Sequence, residues 1–333
     1  MRRQVSAGWS RPAIAAAVLV IALMPQVAAP FTVTLLNYIG IAAFVALGLV
    51  LLTGAGGLVS FGQASFMGIA AYATAWTTAV MGFSPWLGLA LALTVTAAIA
   101  VAVGALTLRL SGHFLSLSTI AWGMALYYTF GNVQSLGQYN GITGVPPVTI
   151  GTLALNDGGV FYYLVWGVLL LALLAAHNLM NSRAGRAIWA LRGGNVLVES
   201  LGIDAFRVKL VVFVIAAVLA GIAGWLYAHM NHFVSPAPFG ITASIEFLMM
   251  AMVGGGRYLT GAILGSALIT LLKNSIQDLL PLIAPGAGGQ LEIVVFSALF
   301  IVFLQHARDG IVPFIARFIP KPVGVRPGPA TPL

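Results

Sequence analysis

The sequence contains no cysteine and few charged residues. Without cysteine there can be no disulfide, no thiol nucleophile and no thiolate metal site. Only 7% of the 333 residues are charged, whereas 60% are hydrophobic, and an ordinary globular protein is about 25% charged. A soluble fold of this size could not cover so much apolar surface with so few charges. The composition therefore excludes a water-soluble protein and predicts a polytopic membrane protein.

Sequence motifs of an enzyme are missing as well. No lysine follows a glycine, so the chain lacks the GxxxxGK[ST] phosphate loop. None of the five histidines begins an HExxH motif, and the spacing of His229 and His232 is explained by an interfacial helix end. We therefore expect no enzyme activity, no catalytic or metal-binding residues and no cofactor, with any ATP bound by partner subunits. The net charge of +8 indicates basic cytoplasmic loops rather than a nucleic-acid partner.

Apolar runs divide the chain into ten candidate membrane segments. They lie at 13–24, 33–52, 58–80, 86–108, 113–130, 160–179, 210–229, 241–253, 259–280 and 291–305. At about 20 residues per helical span, the pattern predicts an all-α polytopic membrane protein of about nine or ten transmembrane segments, some short or broken by glycine. Little chain is left outside the membrane, so residues 1–333 are expected to form a single transmembrane domain.

Two of these segments have alternative interpretations. Segment 13–24 is either a short uncleaved first helix, which we favour, or part of a cleaved signal peptide. Segment 241–253 would be only ~20 Å long as a helix, against about 30 Å for the hydrocarbon core. It is therefore either a tilted span that extends upstream or a half-helix.

Lysine and arginine are distributed unevenly between the two sides of this predicted bundle. If the N-terminus is cytoplasmic and every segment crosses, all of these residues except Lys273 fall on the cytoplasmic side. The positive-inside rule then predicts that residues 1–12, the loop 181–209 and the tail 308–333 face the cytoplasm. The loops 131–159 and 231–240 would form turn-rich caps on the outer side.

The acidic residues are expected to lie outside the middle of the membrane. Glu246 comes early in its segment, where the helix dipole would favour a carboxylate, and its structural and functional interpretations are equally supported. Ion-coupled carriers usually use deeply buried carboxylates. Since the sequence indicates neither such an acid nor an ATP site, the energy for uphill transport would have to come from a partner protein.

Polar residues stand at the start of segment 58–80, directly after the glycine-rich run at 54–57. Glycine runs permit a break in a membrane helix, and polar groups at such a break need partners or a wet cavity. Ser60, Gln63 and Ser65 are therefore candidates for the translocation path, together with Glu246.

The loop 181–209 mixes basic residues with apolar residues at helical spacing. Leu197 and Leu201 are four positions apart and would share one helical face, while Gly202 would permit a tight turn after the helix. A loop that only carried positive charge would not need these leucines, so we interpret residues 196–203 as a helix that docks a cytoplasmic partner. The residues predicted to make this contact are Val196, Leu197, Glu199, Leu201, Gly202 and Ile203.

Several motifs, taken together, resemble the LivM-type permease subunits of branched-chain amino acid ABC importers. They are GLVSFGQASFMG at 57–68, SRAGR at 182–186, LGID at 201–204, RVKL at 207–210 and AGIAG at 220–224. The resemblance covers nearly the whole chain apart from the first 30 and last 20 residues. One departure is Gln63, which stands where the family usually has histidine.

The resemblance implies a permease in the bacterial inner membrane that works with a second, LivH-like permease, two cytoplasmic ATPase subunits and a periplasmic binding protein. Members of the family carry leucine, isoleucine and valine, and relatives serve urea, short amides and aromatic acids. The binding protein selects the substrate, so the choice among these stays open here. A sugar or nucleoside permease of the wider superfamily and a non-transporting membrane scaffold are the alternatives.

A polar stripe is predicted in the last part of segment 259–280. Lys273, Asn274, Gln277 and Asp278 would form an outer gate or a contact for the binding protein, rather than an intramembrane ion pair. Lys273 and Asp278 are five positions apart and so lie about 140° apart around a helix. The alternative is a solvated helix end, with Lys273 extending to the outer headgroups.

Overall fold

The computed structural model describes residues 23–109, 113–150, 153–155, 157–283, 294, 297–298, 301, 305 and 310–312. These residues include ten α-helices, numbered here in chain order. They are α1 Pro30–Leu49, α2 Gln63–Ala75, α3 Pro85–Thr107, α4 His113–Asn132, α5 Gly158–Asn181, α6 Arg183–Leu191, α7 Asn195–Ser200, α8 Ala205–Asn231, α9 Ile241–Gly255 and α10 Gly261–Ile283. The second to ninth predicted segments each correspond to one of these helices, whereas the first and last lie largely outside the described residues.

Strands make a very small contribution to the described fold. Four two-residue strands form two antiparallel pairs: β1 Ile142–Thr143 with β4 Phe233–Val234, and β2 Thr149–Ile150 with β3 Leu153–Ala154. Within the described ranges, four helical segments are long and apolar enough to cross a membrane: Pro30–Ala55, Pro85–Thr107, Gly158–Asn181 and Ala205–Asn231. The prediction of an all-α polytopic membrane protein is therefore confirmed.

Helix α1 lies at the centre of the bundle. It continues through a π-helical turn, Val50–Ala55, and 83% of its most apolar window is buried. The corresponding share is 28% in α3 and 33% in α5, so these two helices lie at the periphery. A helix that is hydrophobic all round belongs in such a core position, and the sequence of α1 has no polar face.

Small residues bring the central helices together. A Cβ at Gly224 of α8 would overlap the carbonyl oxygen of Met67 in α2, and a Cβ at Gly265 of α10 would overlap that of Met250 in α9. Glycine at these crossings permits close approach of the two backbones. The pairs α2 with α8 and α9 with α10 are therefore closely packed units of the bundle.

The positive charges gather at one end of the bundle, which we call the cation-rich end. It carries every lysine and arginine of the described residues except Lys273: Arg109, Arg183, Arg186, Arg192, Arg207, Lys209 and Arg257. Two contacts join the elements at this end. Arg192 donates from Nη1 to the carbonyl oxygen of Gly54 at 3.1 Å. The Arg109 guanidinium lies 5.8 Å from the centre of the Phe206 ring. The bundle therefore has the charge asymmetry that the sequence predicted.

The opposite end is capped by irregular chain. His229 donates from Nδ1 to the Pro146 carbonyl oxygen at 2.7 Å, and His232 donates in the same way to that of Val145 at 2.8 Å. Trp86 donates to the carbonyl oxygen of Thr149 at 2.8 Å. These bonds hold the loop between β1 and β2 against the helix ends, which gives the two histidines a structural role.

Helix α9 is short and begins inside the bundle. Its 15 residues make it ~22 Å long, less than the hydrocarbon core of about 30 Å. A 3-10 turn, Ala237–Phe239, precedes it, and the fully buried Phe239 lies against Gly68 in the middle of the helix that starts at Gln63. The helix does not extend upstream, so of the two interpretations of segment 241–253 the structure shows the half-helix.

Candidate functional site

A break in the helical backbone lies between α1 and α2. Residues 58–62 are not helical, and α2 begins only at Gln63, five residues later than the predicted segment. The backbone N–H of Phe61 donates to Thr119 Oγ1 of α4, and that of Ala64 donates to Ser244 Oγ of α9, each at 3.1 Å. Irregular backbone at membrane depth needs such partners. Two other helices, α4 and α9, therefore converge on the break and supply these hydrogen bonds.

The predicted polar residues at this break are all buried. Ser60, Gln63 and Ser65 are each at most 2% exposed. Ser60 Oγ accepts from the N–H of Gly62 at 3.4 Å, and Ser65 donates to the carbonyl oxygen of Gly123 at 3.3 Å. Neither the amide nitrogen nor the amide oxygen of Gln63 has a hydrogen-bond partner within the described residues. The structure thus brings the three residues together and leaves one buried polar group unsatisfied.

The fourth predicted path residue, Glu246, does not join them. Ser244, on the same helix, is 1% exposed and contacts the break. Glu246 is two positions further and therefore lies about 200° around α9 from Ser244. The site at the break consists of Ser60, Gln63, Ser65, Thr119 and Ser244. The last two had no sequence signal beyond being hydroxyl residues in apolar segments.

Glu246 instead forms an ion pair with Lys273, a contact that the sequence analysis did not anticipate. Lys273 Nζ lies 2.8 Å from Glu246 Oε1. Gly255 and Gly261 mark the ends of α9 and α10 at the cation-rich end, and the pair lies ~14 Å from the first and ~18 Å from the second along the helices. Glu246 and Lys273 therefore lie well inside α9 and α10 rather than at the cation-rich ends of these helices. The sequence analysis did not find this partner of Lys273 because it considered only acidic residues on the same helix.

The remaining stripe residues lie further along α10. Asn274 donates from Nδ2 to Asp278 Oδ2 at 3.1 Å, so Asp278 is bonded to Asn274 and not to Lys273, as the spacing predicted. Gln277 and Asp278 are exposed. Asp278 is ~26 Å from Gly261 along the helix, towards the capped end. Its part in an outer gate stays a prediction.

The predicted docking helix is shorter than expected. Helix α7 ends at Ser200, and Leu201 lies in the turn that follows, where Gly202 has a φ of +73°. The tight exit at Gly202 is confirmed, and Leu201 lies at the C-cap of the helix rather than inside it. Gly194, at φ +99°, bounds the helix on its other side, so two left-handed glycines fix its length.

Apolar side chains of this segment face outward nonetheless. Val196 is 81% exposed, Leu197 47% and Leu201 62%. Val198 attaches the segment to the rest of the protein, because it is fully buried against Leu191 and Ala205. The half-buried Ile203 lies beside them. Exposed apolar groups clustered on a charged surface are typical of an interaction site.

A groove of about 420 Å³ borders this segment. It is lined by Leu108, Arg109, Asn195, Glu199, Ala205, Phe206 and Lys209. Arg192, at the end of α6, connects the same region to the helix break, because it bonds the carbonyl oxygen of Gly54 at the end of α1. This hydrogen bond therefore joins the chain just before the docking segment to the chain just before the polar break. Within the described part of the chain, no group of three or more acidic or histidine side chains could hold a metal ion.

Comparison with known proteins identifies one family. The family model described as "Branched-chain amino acid transport system / permease component" matches residues 31–304. The high-affinity branched-chain amino acid transport system permease protein LivM of Escherichia coli K12 is 28% identical over 324 residues, covering 89% of this chain and 74% of the relative. LivM of Salmonella typhimurium LT2 is also 28% identical, covering 80% of this chain and 66% of the relative.

A second kind of relative matches a shorter region. The permease protein LivH of the same transport system in Escherichia coli K12 is 31% identical over 110 residues, covering 33% of this chain and 35% of the relative. No solved structure matches the chain.

Proposed function

The chain belongs to the family of permease components of branched-chain amino acid transport systems, and from this we propose that it forms one half of the translocation path of an ABC importer for branched-chain amino acids. The match over residues 31–304 carries the proposal. The buried, unsatisfied Gln63 at a helix break supports it, because a path for a polar solute needs polar groups inside an apolar bundle.

The proposed assembly adds three kinds of partner. A second, LivH-like permease completes the path, and two cytoplasmic ATPase subunits bind ATP and dock on the exposed apolar residues of the 196–203 segment. A periplasmic binding protein delivers the solute to the capped end. The chain itself binds no cofactor, and the complex lies in the bacterial inner membrane with the cation-rich end in the cytoplasm.

Reconstitution tests this proposal. Proteoliposomes that contain the chain, the second permease, the ATPases and the loaded binding protein should take up leucine, isoleucine or valine when ATP is inside. Omission of this chain should remove uptake. Transport of urea, an aromatic acid or a sugar in place of these amino acids would support the other cargoes, and uptake that persists without the chain would support a scaffold.

Cysteine labelling tests the proposed orientation. The chain has no native cysteine, so Ser135→Cys and Ser200→Cys each introduce a single thiol at an exposed serine near the capped end and in the docking segment respectively. In sealed cells an impermeant maleimide should label the thiol at position 135 and not the one at 200, and lysis should expose both. Labelling of position 200 in sealed cells would reverse the orientation.

The role of Gln63 can be separated from a packing role. We expect Gln63→Leu to keep or raise the melting temperature, because it removes an amide that is buried without partners, a defect that costs about 1–3 kcal/mol. Uptake per complex should nevertheless fall at least tenfold if Gln63 contacts the solute. A variant that is equally stable and fully active would remove Gln63 from the path.

A further inference from the structure

The Glu246 and Lys273 pair lies on the outer surface of the single subunit, ~14 Å along α9 and ~18 Å along α10 from the cation-rich end. The side chains are 23% and 41% exposed respectively. Charged groups in the middle of a membrane face other protein or a water-filled cavity, because a charge exposed to hydrocarbon is expensive. This face of α9 and α10 must therefore be turned towards the interior of the assembled transporter.

Stabilisation of the contact between α9 and α10 does not explain why this ion pair is present. Helices α9 and α10 are already joined by backbone contacts between Gly254 and Gly261 and between Gly265 and Met250. A buried ion pair is weak evidence of stability, since apolar side chains of similar volume often stabilise as well or better. The pair is also only half-buried, which leaves both charges within reach of a solute.

An amino acid carries the same two charged groups as the pair, one ammonium and one carboxylate. Each of its groups can therefore bind the side chain of opposite charge. We propose, on the basis of the proposed transport function, that Glu246 and Lys273 form a binding site for zwitterionic solutes in the translocation path. The solute's ammonium group replaces Lys273 as the partner of Glu246, and its carboxylate replaces Glu246 as the partner of Lys273. When the solute leaves, the two side chains pair with each other again.

This exchange keeps every charge paired and the sum of charges at zero. A solute with only a carboxylate would pair with Lys273 and leave Glu246 alone in a poorly solvated site, and a solute with only an ammonium group would leave Lys273 alone. Removing one member of a buried pair is strongly unfavourable because the other charge loses its partner. The site therefore selects amino acids over aromatic acids, amines and uncharged amides.

Three ligands that share the branched carbon chain of leucine but differ in their charged groups test whether the site selects zwitterions. Leucine, 4-methylpentanoate, which lacks the ammonium group, and isoamylamine, which lacks the carboxylate, are each added at millimolar concentration to the complex of permeases and ATPases without binding protein. Leucine should raise the melting temperature, and each analogue should raise it by less than half as much. Equal stabilisation by an analogue, or none by leucine, would overturn the proposal.

Variants test whether the pair is the site. We expect Glu246→Gln, Lys273→Met and the double variant each to lower leucine uptake at least tenfold, and the double variant to lose the leucine-specific stabilisation while it assembles with the ATPases. Asp157→Asn makes the same carboxylate-to-amide change at the cap of α5, where asparagine caps as well as aspartate, and should leave uptake unchanged.

The outcomes separate this inference from the transport function. If the double variant regains the uptake that the single variants lose, the ion pair only stabilises the contact between α9 and α10. Failure of the double variant to assemble would also indicate a purely structural role. Either result overturns the inference while the unmodified complex still transports leucine. A complex without leucine uptake in its unmodified form would instead refute the proposed function.

Discussion

Replacing Leu201 by aspartate should abolish uptake and release the ATPase subunits, although the permease still inserts. The side chain is 62% exposed, and its burial in a docking groove would contribute roughly 1.5–3 kcal/mol. Each 1.4 kcal/mol changes an affinity about tenfold, and a buried, unpaired carboxylate adds a further penalty. We therefore expect the affinity for the ATPases to fall more than 100-fold.

Co-purification of the ATPases and uptake in proteoliposomes measure this effect. Ser200→Asp is the matched control, because it adds the same charge at the neighbouring exposed position without removing an apolar contact. Leu197→Asp should resemble Leu201→Asp, since both side chains face outward on one segment. If the ATPases remain attached to both leucine variants, they dock elsewhere on the cation-rich end.

A valine at position 224 should prevent the bundle from assembling. A Cβ there would overlap the carbonyl oxygen of Met67 and lie 3.0 Å from the backbone nitrogen of Ala71. Backbone atoms of α2 cannot rotate away as a side chain could, so α2 and α8 must separate along their whole contact. The cost should reach or exceed the upper end of the about 1–3 kcal/mol that overpacking usually carries.

The same substitution at Gly167 provides the control. Gly167 lies on the exposed side of α5, and a Cβ there meets nothing within 4 Å. Size-exclusion chromatography in mild detergent should show a monodisperse species for Gly167→Val and aggregated or degraded protein for Gly224→Val. A stable, monodisperse Gly224→Val would mean that the two helices are not in close contact.

Hydropathy and charge predicted the membrane architecture because they indicate whether each segment of the chain contacts lipid or water. The bilayer demands long apolar helices and the positive-inside rule places the cations, so helices such as α3 and α5 and the cation-rich end follow from composition along the chain. These demands act on each segment separately. They therefore say where helices are and little about which side chains meet.

Contacts between segments explain what the sequence could not show. Glu246 and Lys273 are 27 positions apart, and their pairing depends on the crossing of α9 and α10. The bond from Arg192 to Gly54 spans 138 positions. Helix α7 was predicted too long because its limits are backbone angles at Gly194 and Gly202, which apolar periodicity does not encode. In contrast, one short polar stretch of the sequence contains Ser60, Gln63 and Ser65. These three residues could therefore be predicted as a group without knowing any contact between helices.

The irregular chain that leads into α9 also constrains how the protein is made. Strand β4 has its hydrogen-bond partner in β1, and Phe239 is covered by Gly68 of α2. In lipid alone these peptide groups would have no partners, so the ribosome-bound translocation channel cannot release this stretch into the bilayer as an independent span. We expect it to enter only once α2 and β1 are in place to receive it. Insertion of the bundle would then be sequential, with the half-helix among the last pieces to join.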